Sequence, residues 1–230
     1  MMKNRATISC DIISSTALSA ANRDMLSEKL KELMTKLTRH FANQGFYGRV
    51  LKGDYIECAL DTPETALRVA LLIKTFVRAI ELPTSKEENK RIKYFKEHGV
   101  RVAIAVAPLE NYQPRKGVMD GEAIYLSGRA LNRNNTHDKQ KIVIKRTLYF
   151  LSNDLAVQRL YETMLEMLDV ILVRCSAKQC EVVFYKLLNK SEVEISKILQ
   201  KNQSTINQHS TAAGWNAIDR AVSYFEENIH

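Results

Sequence analysis

Residues 5–13 read RATISCDII, an apolar and partly β-branched run that contains one carboxylate, Asp11. A run of this length and composition predicts a buried strand at the centre of a sheet. Residues 99–107 read GVRVAIAVA and have the same character, so they predict a second central strand. The two runs are therefore expected to lie in the middle of one sheet.

The segments around these two runs alternate between helical and strand patterns. Helices are expected at about 21–41, 61–80 and 123–131, and a further helix from a cap at 152 or 153 to about 168. Strands are expected at 46–51, 55–60 and 141–145. Residues 83–96 are expected to form an exposed loop or a frayed helix. The order strand, helix, two strands, helix, strand is that of the split β-α-β-β-α-β unit, followed here by one more helix and strand. We therefore expect a ferredoxin-like α/β (α+β) domain over residues 1–170.

Residues 191–208 read SEVEISKILQKNQSTINQ and carry the signals of two short helices. Ser191 and Glu194 form a capping box at the start of the first helix, and Asn202 is a natural cap for the second. A turn of about three residues between two short helices predicts a helix-turn-helix. The stretch resembles the bacterial, sigma-factor-like form of that motif, except that Gln200-Lys201 replaces the usual Gly and apolar residue of the turn.

Helical patterns on both sides of this motif complete a small all-α domain over residues 175–230. A helix is expected at 177–188, and apolar positions from Trp215 to Phe225 supply a face that could cover the pair. The polar residues of the second short helix can hydrogen-bond to base edges or phosphates, which makes DNA a candidate partner. These candidate DNA contacts are Gln203, Ser204, Thr205, Asn207, Gln208 and His209.

The charge of the carboxyl-terminal region is balanced, with six basic and six acidic residues over 175–230. Phosphate contacts normally dominate the affinity of a protein for DNA, and the second short helix holds no Lys or Arg. Tight binding would therefore need a second copy or a basic surface elsewhere. The alternative use of such a module is a protein–protein or dimerisation contact.

The net charge of +8 comes entirely from the residues before 175. Residues 111–146 hold eight basic side chains against three acidic ones. Such a surplus is either a solvated basic face or a surface for phosphate, in a nucleotide or in a nucleic acid. No apolar stretch approaches the roughly 18 residues of a membrane span, and the amino terminus lacks a signal peptide, so we expect a cytoplasmic protein with no membrane contact.

The four cysteines show neither a C-x-x-C pair nor a His at zinc-binding spacing. Cys10 and Cys58 lie in apolar runs and are predicted to be buried thiols. Cys175 and Cys180 are five residues apart, so their side chains would diverge on a helix. The sequence therefore predicts neither a disulfide nor a cysteine-bound metal.

Two acidic residues stand out by their positions. Asp11 lies inside the first apolar strand, where a carboxylate is costly unless it is paired or binds a cation. Asp54 follows Gly53 at the predicted hairpin turn, and the two carboxylates meet at one sheet edge if the strands are neighbours. Paired carboxylates near basic residues suit a site for Mg²⁺ or Mn²⁺ and phosphate. The alternatives are a structural cap for Asp11 and an ordinary turn residue for Asp54.

Three short motifs add a family resemblance: DIISST at 11–16, the Gly53-Asp54 hairpin, and DGEAIYLSGRALN at 120–132. In this order they resemble the landmarks of class III nucleotidyl cyclase homology domains. They are still more similar to the SatD family, a bacterial group in which a cyclase-palm-like domain precedes a helix-turn-helix. The resemblance covers nearly the whole chain.

The cyclase resemblance implies metal ligands at Asp11 and Asp54, with the backbone carbonyl of Ile12 nearby, and a phosphate-stabilising arginine at Arg129. The remaining candidate phosphate- or nucleotide-binding residues are Ser14, Ser15, Thr16 and Lys52. Arg129 has a simpler alternative, as a solvated helix residue that pairs with Asp120 or Glu122.

The chain departs from the cyclase pattern at several positions. Tyr125 replaces the asparagine four residues before the arginine, and Val50 replaces the basic residue that reads the base. Lys52 lies two positions too close to take that role, and the second central strand ends in Ala107-Pro108 rather than Gly. Two catalytic landmarks are thus replaced.

The sequence predicts a DNA-binding transcription regulator with a cyclase-like domain that senses a ligand or nucleotide, and that works as a homodimer. The first alternative is an enzyme, a metal-dependent nucleotidyl cyclase or a related phosphotransfer enzyme. The second alternative is a protein-interaction adaptor with neither activity.

Overall fold

The computed structural model describes residues 4–83, 91–133 and 143–229. Its strands are β1 (Asn4–Ile12), β2 (Tyr47–Leu51), β3 (Tyr55–Leu60), β4 (Val100–Pro108), β5 (Asn111–Gln113), β6 (Val118–Asp120) and β7 (Leu148–Ser152). Its α-helices are α1 (Ala20–His40), α2 (Ala66–Ala79), α3 (Ile92–His98), α4 (Glu122–Arg133), α5 (Leu155–Arg174), α6 (Ala177–Leu187), α7 (Glu192–Leu199), α8 (Gln203–Ala212) and α9 (Trp215–Asn228).

The main sheet has the strand order β2-β3-β1-β4-β7. Strand β1 is antiparallel to both of its neighbours, and β7 is parallel to β4. The unit β1-α1-β2-β3-α2-β4 with this strand order is the ferredoxin-like arrangement, to which α4 and β7 are added. The expected ferredoxin-like α/β fold is confirmed, and the two apolar runs are its central strands.

The two faces of the sheet differ in chemistry because the side chains of β1 alternate. Ile8 and Cys10 are fully buried in the large apolar core with α1 and α2. On the opposite face Thr7 and Ser9 are also fully buried, under α4. The Thr7 hydroxyl donates to the carbonyl of Ala123 at 2.8 Å, and the Ser9 and Ser127 hydroxyls are 2.8 Å apart. Helix α4 is therefore attached to the sheet through buried hydroxyl groups.

The last strand of the sheet is not the predicted one. Residues 141 and 142 of the predicted strand 141–145 lie outside the described residues, and 143–145 are not in a strand. The strand is LYFLS at 148–152, where Leu148 and Phe150 are buried between β4 and α5. A parallel strand covered on both sides needs a continuous apolar run, which LYFLS supplies and KIVIK, with a Lys at each end, does not.

Three further differences concern element boundaries. The basic loop before Asp120 contains the small β5-β6 hairpin. The segment 83–96 was expected to be a loop or a frayed helix, and its last residues belong to the ordered helix α3. Residues 84–90 of that segment lie outside the described residues. Helix α5 is capped by Asp154, whose carboxylate accepts from the amides of Ala156 and Val157, and it continues to Arg174.

The carboxyl-terminal helices share a core with the sheet domain. Phe225 of α9 contacts the rings of Phe150 and Tyr161, with ring centroids 5.9 and 4.7 Å apart. On α2, the Arg68 guanidinium binds Glu226 of α9 at 2.6 Å and the Leu187 carbonyl at 3.1 Å. The division into 1–170 and 175–230 stays a prediction, but side chains from both parts pack in one apolar cluster.

All four cysteines are buried, as predicted for Cys10 and Cys58. The expectation that Cys175 and Cys180 diverge is wrong, because Cys175 lies just beyond the end of α5 and only Cys180 is helical. Their side chains form a hydrogen bond, which lowers the pKa of Cys180 to about 7 and raises that of Cys175.

Among the described residues, no helix has the length and apolar content that a membrane crossing requires.

A buried ion pair joins α2 to α5 beneath β7. Lys74 and Asp169 are almost fully buried, with Nζ and Oδ1 3.4 Å apart, and Thr147 hydrogen-bonds to both. Burial alone would raise the pKa of Asp169, but Lys74 and the Thr147 hydrogen bonds hold it below its usual value. Burial also lowers the pKa of Lys74. Each charge therefore depends on its partner.

We expect Lys74→Met to lower the free energy of unfolding by about 3–5 kcal/mol at neutral pH, because Asp169 is left as an uncompensated buried carboxylate. The loss should be smaller at pH 5 than at pH 7, since the pKa of an unpaired buried carboxyl rises and the group takes up a proton. Urea unfolding at the two pH values measures both effects. Lys31→Met, on the exposed side of α1, is the control, and equal losses in the two variants would contradict this account.

Candidate functional site

The end of β1 and the β2–β3 turn lie side by side at one edge of the sheet. Asp11 is the cross-strand neighbour of Tyr55, and the Ile12 amide donates to the Asp54 carbonyl at 3.1 Å. The strand that carries Asp11 and the turn that carries Asp54 are therefore adjacent, which is the condition on which the predicted site depends. The ligand roles of Asp11, Asp54 and the Ile12 carbonyl stay predictions.

Asp11 is paired with a buried arginine. On its other side Asp11 is the cross-strand neighbour of Arg101 in β4, and Arg101 Nη1 lies 2.8 Å from Asp11 Oδ2. Arg101 is only 2% exposed. Sequence reasoning missed this residue, although a single cation inside the apolar run GVRVAIAVA signals a partner charge. The pair explains how a carboxylate is tolerated in a central strand.

Asp54 is held by the loop that follows β1. The Ser15 hydroxyl donates to Asp54 Oδ2 at 2.7 Å, and Ser15 is buried while Thr16 is exposed. Ser14, which lies between the end of β1 and Ser15, has a left-handed backbone with φ of 58°. Asp54 therefore accepts a hydrogen bond from the Ser-Ser-Thr segment. A structural role for Asp11 as a cap of this segment stays a prediction.

Lys52 sits in the hairpin turn in an unfavourable backbone conformation. Lys52 and Gly53 have φ of 51° and 83°, and the Asp54 amide donates to the Leu51 carbonyl at 3.3 Å. Positive φ at both central residues is the signature of a type I′ turn, for which Asn-Gly is preferred and a long side chain is strained. Strain of this kind concentrates at functional sites. Lys52 is exposed and lies two residues before Asp54 in the same turn.

The oxygen donors at this edge fit a divalent cation in kind. Carboxylates and a backbone carbonyl are the hard ligands that Mg²⁺ and Mn²⁺ prefer. Among the described residues, no group of three or more His, Cys, Asp or Glu side chains is placed to hold a metal. Asp11, Asp54 and the Ile12 carbonyl would therefore hold the cation together with water and phosphate oxygens, as is usual for Mg²⁺.

A cleft of about 960 Å³ lies between the start of β4 and α5, and neither Asp11 nor Asp54 lines it. Its lining includes the acidic residues Glu97, Glu166 and Asp169 as well as basic ones. Arg101 lines it and so belongs to both the cleft and the Asp11 pair. The Arg146 guanidinium lies 4.5 Å from the ring centroid of Tyr149 and binds Glu162 at 2.8 Å. The cleft is large enough for a nucleotide-sized ligand, and its basic residues are Arg101, Lys145, Arg146 and Arg174, with His98 at its border.

Within a single chain, Arg129 does not share a cleft with the carboxylates of Asp11 and Asp54. It is exposed on α4 and lines a separate cleft of about 440 Å³ that contains neither Asp11 nor Asp54. In this cleft the Tyr125 hydroxyl donates to Asp120 at 2.6 Å. The described residues show no ion pair between Arg129 and either Asp120 or Glu122.

The helix-turn-helix is present as predicted. The capping box of Ser191 and Glu194 has both of its hydrogen bonds, and residues 200–202 separate α7 from α8. Gln200 adopts the left-handed conformation, with φ of 51°, that Gly usually supplies in this turn. The backbone of the turn therefore keeps its usual form although the sequence departs there. Asn202 begins α8 without a side-chain capping hydrogen bond.

The candidate DNA contacts are only partly available on α8. Gln203, Ser204, Asn207 and Gln208 are exposed, whereas Thr205 and His209 are half-buried. Asn207 Nδ2 donates to Glu192 Oε2 at 3.3 Å, so a carboxylate lies next to the polar face. DNA binding by these residues stays a prediction.

No family model and no curated protein sequence matches the chain. Its structure is similar to those of nucleotide cyclases. One is a bacterial light-regulated adenylyl cyclase (15% identity, TM-score 0.40, covering 65% of this chain and 43% of that one). Another is an adenylate cyclase from Trypanosoma brucei in its monomeric state (17%, 0.39, 55% and 68%), and a third is the GGEEF domain of a diguanylate cyclase from Vibrio cholerae (17%, 0.30, 57% and 76%). The chain spans less than half of the first of these, and similarity at this level concerns the fold.

We expect Lys52→Asn to raise the free energy of unfolding by about 0.5–1 kcal/mol, because Asn tolerates the left-handed conformation that strains Lys. Thermal or urea unfolding measures the change. Lys116→Asn, at an exposed position without positive φ, is the matched control and should leave stability unchanged. A Lys52→Asn variant no more stable than wild type would show that the turn is not strained.

Proposed function

We propose that the sheet-edge site binds the phosphate groups of a nucleotide together with a divalent cation, and that it supports a nucleotidyl-cyclase-type or related phosphotransfer reaction. The observation that carries the proposal is the placement of Asp11, at the end of β1, next to the β2–β3 turn that holds Asp54, with Arg101 bound to Asp11. The motif resemblance supports it, and membership of the SatD family is part of the same proposal.

In this proposal each group has a definite role. Asp11 and Asp54 hold the cation, which when bound would neutralise and bridge phosphate oxygens. Arg101 and Lys52 add positive charge, and the polar loop at residues 14–16 supplies hydroxyl and amide donors toward phosphate. Cyclase-type sites are shared between two chains, so Arg129 would serve the site of a second copy, since in its own chain it lines a cleft that contains neither Asp11 nor Asp54.

Recognition of the base should be weak. Val50 packs against the apolar core on the α1 side of the sheet, so no cation from this position reaches a base. Tyr125 is engaged with Asp120 rather than free to orient a ribose. We therefore expect adenine and guanine nucleotides to bind with similar affinity, because the phosphates and the cation provide most of the contacts.

We expect ATP and GTP to bind in the presence of Mn²⁺, and Asp54→Asn to weaken that binding at least tenfold, which corresponds to about 1.4 kcal/mol. Asn keeps the shape of the side chain and its hydrogen bond from Ser15 but loses the charge. Isothermal titration calorimetry measures the affinity, and Asp219→Asn, which removes an exposed carboxylate on α9, is the control. Equal affinity in Asp54→Asn and wild type would contradict the metal assignment.

Incubation of each triphosphate with Mn²⁺ tests the reaction itself. Formation of a cyclic nucleotide and pyrophosphate by wild type, and not by Asp54→Asn, would establish the cyclase. Tight binding without any product would instead make the domain a nucleotide sensor.

We also propose, as a second function, that the helix-turn-helix binds DNA with α8 in the major groove. The left-handed turn at Gln200 and the exposed side chains at Gln203, Ser204 and Gln208 favour it. Because the region has no excess of positive charge, two copies are needed for useful affinity. A regulator of transcription would then combine nucleotide binding with DNA binding.

We expect the full-length chain to shift DNA from its own promoter region, with an affinity that falls steeply as salt rises. Lys201→Ala, beside the turn, should weaken binding to all sequences evenly and reduce the salt slope by about one, whereas Gln208→Ala should weaken preferred sequences most. Asn216→Ala, exposed on α9, is the control. Absence of any shift at low salt would leave the module a protein–protein contact.

A further inference from the structure

Helix α5 has two apolar sides. Tyr161, Leu165 and Leu172 face the core and are buried. The opposite side is exposed and repeats at alternating spacings of four and three residues. This exposed row, the α5 seam, consists of Ala156, Leu160, Thr163, Met167, Val170 and Arg174. Such spacing is that of the a and d positions of a coiled coil, which bury themselves against a second helix.

The large residues of the seam are well exposed to solvent. Met167 is 65% exposed, Val170 is 54% and Leu160 is 49%. Single exposed apolar residues are ordinary, but a row of them at heptad spacing on a helix of 20 residues is a surface for a partner.

We infer that the α5 seam is the surface on which a second copy of this chain docks, with the two α5 helices antiparallel about a two-fold axis. The charges beside the seam support a second copy as the occupant. Arg159 and Glu166 flank the seam on the same side and are seven residues apart. In an antiparallel pair centred between residues 161 and 162, Arg159 faces the partner's Glu166, and the symmetry repeats the pair.

The same register matches large side chains with small ones. Met167 lies opposite the partner's Ala156, and Leu160 lies opposite the partner's Thr163, so knobs of one helix meet space on the other. A parallel pair would instead place like residues at the same level and leave Arg159 and Glu166 without opposite charges.

The side chains that flank the seam are available for this pairing. Among the described residues Arg159 has no acidic partner within ion-pair distance. Glu166 binds Arg146 but keeps 56% of its side chain exposed. Arg146 also binds Glu162 at 2.8 Å, so Glu166 can turn to the partner's Arg159 while Arg146 stays paired. The inference does not rest on the proposed function.

The test is the mass of the full-length chain in solution, by size-exclusion chromatography with light scattering over a concentration series. We expect a dimer for wild type and for Val193→Glu, which places the same charge on the exposed face of α7. Met167→Glu should be monomeric at the same concentrations, and thermal unfolding should show that it remains folded, because its side chain is outside the core.

The charge swap tests the antiparallel orientation. Arg159→Glu and Glu166→Arg should each weaken dimerisation at least tenfold, and the double variant should restore it, since the pair is then re-formed with reversed signs. A monomeric wild type, or a Met167→Glu variant that remains dimeric, would overturn the docking surface. Single variants that weaken the dimer without rescue by the double variant would overturn the antiparallel pairing.

Discussion

The polar face of β1 constrains the rest of this structure. A central strand covered on both sides cannot leave a hydroxyl or a carboxylate without a partner. Thr7 and Ser9 therefore bind α4, and Asp11 binds Arg101 of the neighbouring strand. Those bonds determine where α4 crosses the sheet and which register β4 adopts. The candidate site is the end of the same row, where the polar face reaches solvent.

The carboxyl-terminal helices are joined to this sheet by packing and by charge. Helices α6 and α9 lie against α2, and Arg68 binds both Glu226 and the end of α6. A rearrangement of α2 would therefore reach the helix-turn-helix through contacts that are already formed. This arrangement provides a physical route by which a ligand at the sheet could affect the module, if both proposed functions hold.

Backbone strain is concentrated where function is proposed. Among the described residues, four other than glycine have a left-handed backbone: Ser14, Lys52, Asn189 and Gln200. The first two flank the sheet-edge site, and the last lies in the helix-turn-helix turn. Gly or Asn in place of Ser14, Lys52 or Gln200 would relieve the strain at some gain in stability, so the presence of these three residues is consistent with a requirement other than stability.

Local signals in the sequence by themselves determined the central strands, the hairpin at Gly53 and the helix-turn-helix, because alternation, turn residues and a capping box act over a few positions. They also indicated that Asp11 and Asp54 would meet at one sheet edge if their strands were neighbours. Only the tertiary structure decided that Arg101 neutralises Asp11, that Arg129 lies in another cleft and that LYFLS rather than KIVIK completes the sheet. Those outcomes depend on strand register and burial between residues far apart in the chain, such as the 90 positions between Asp11 and Arg101, and no local pattern records them.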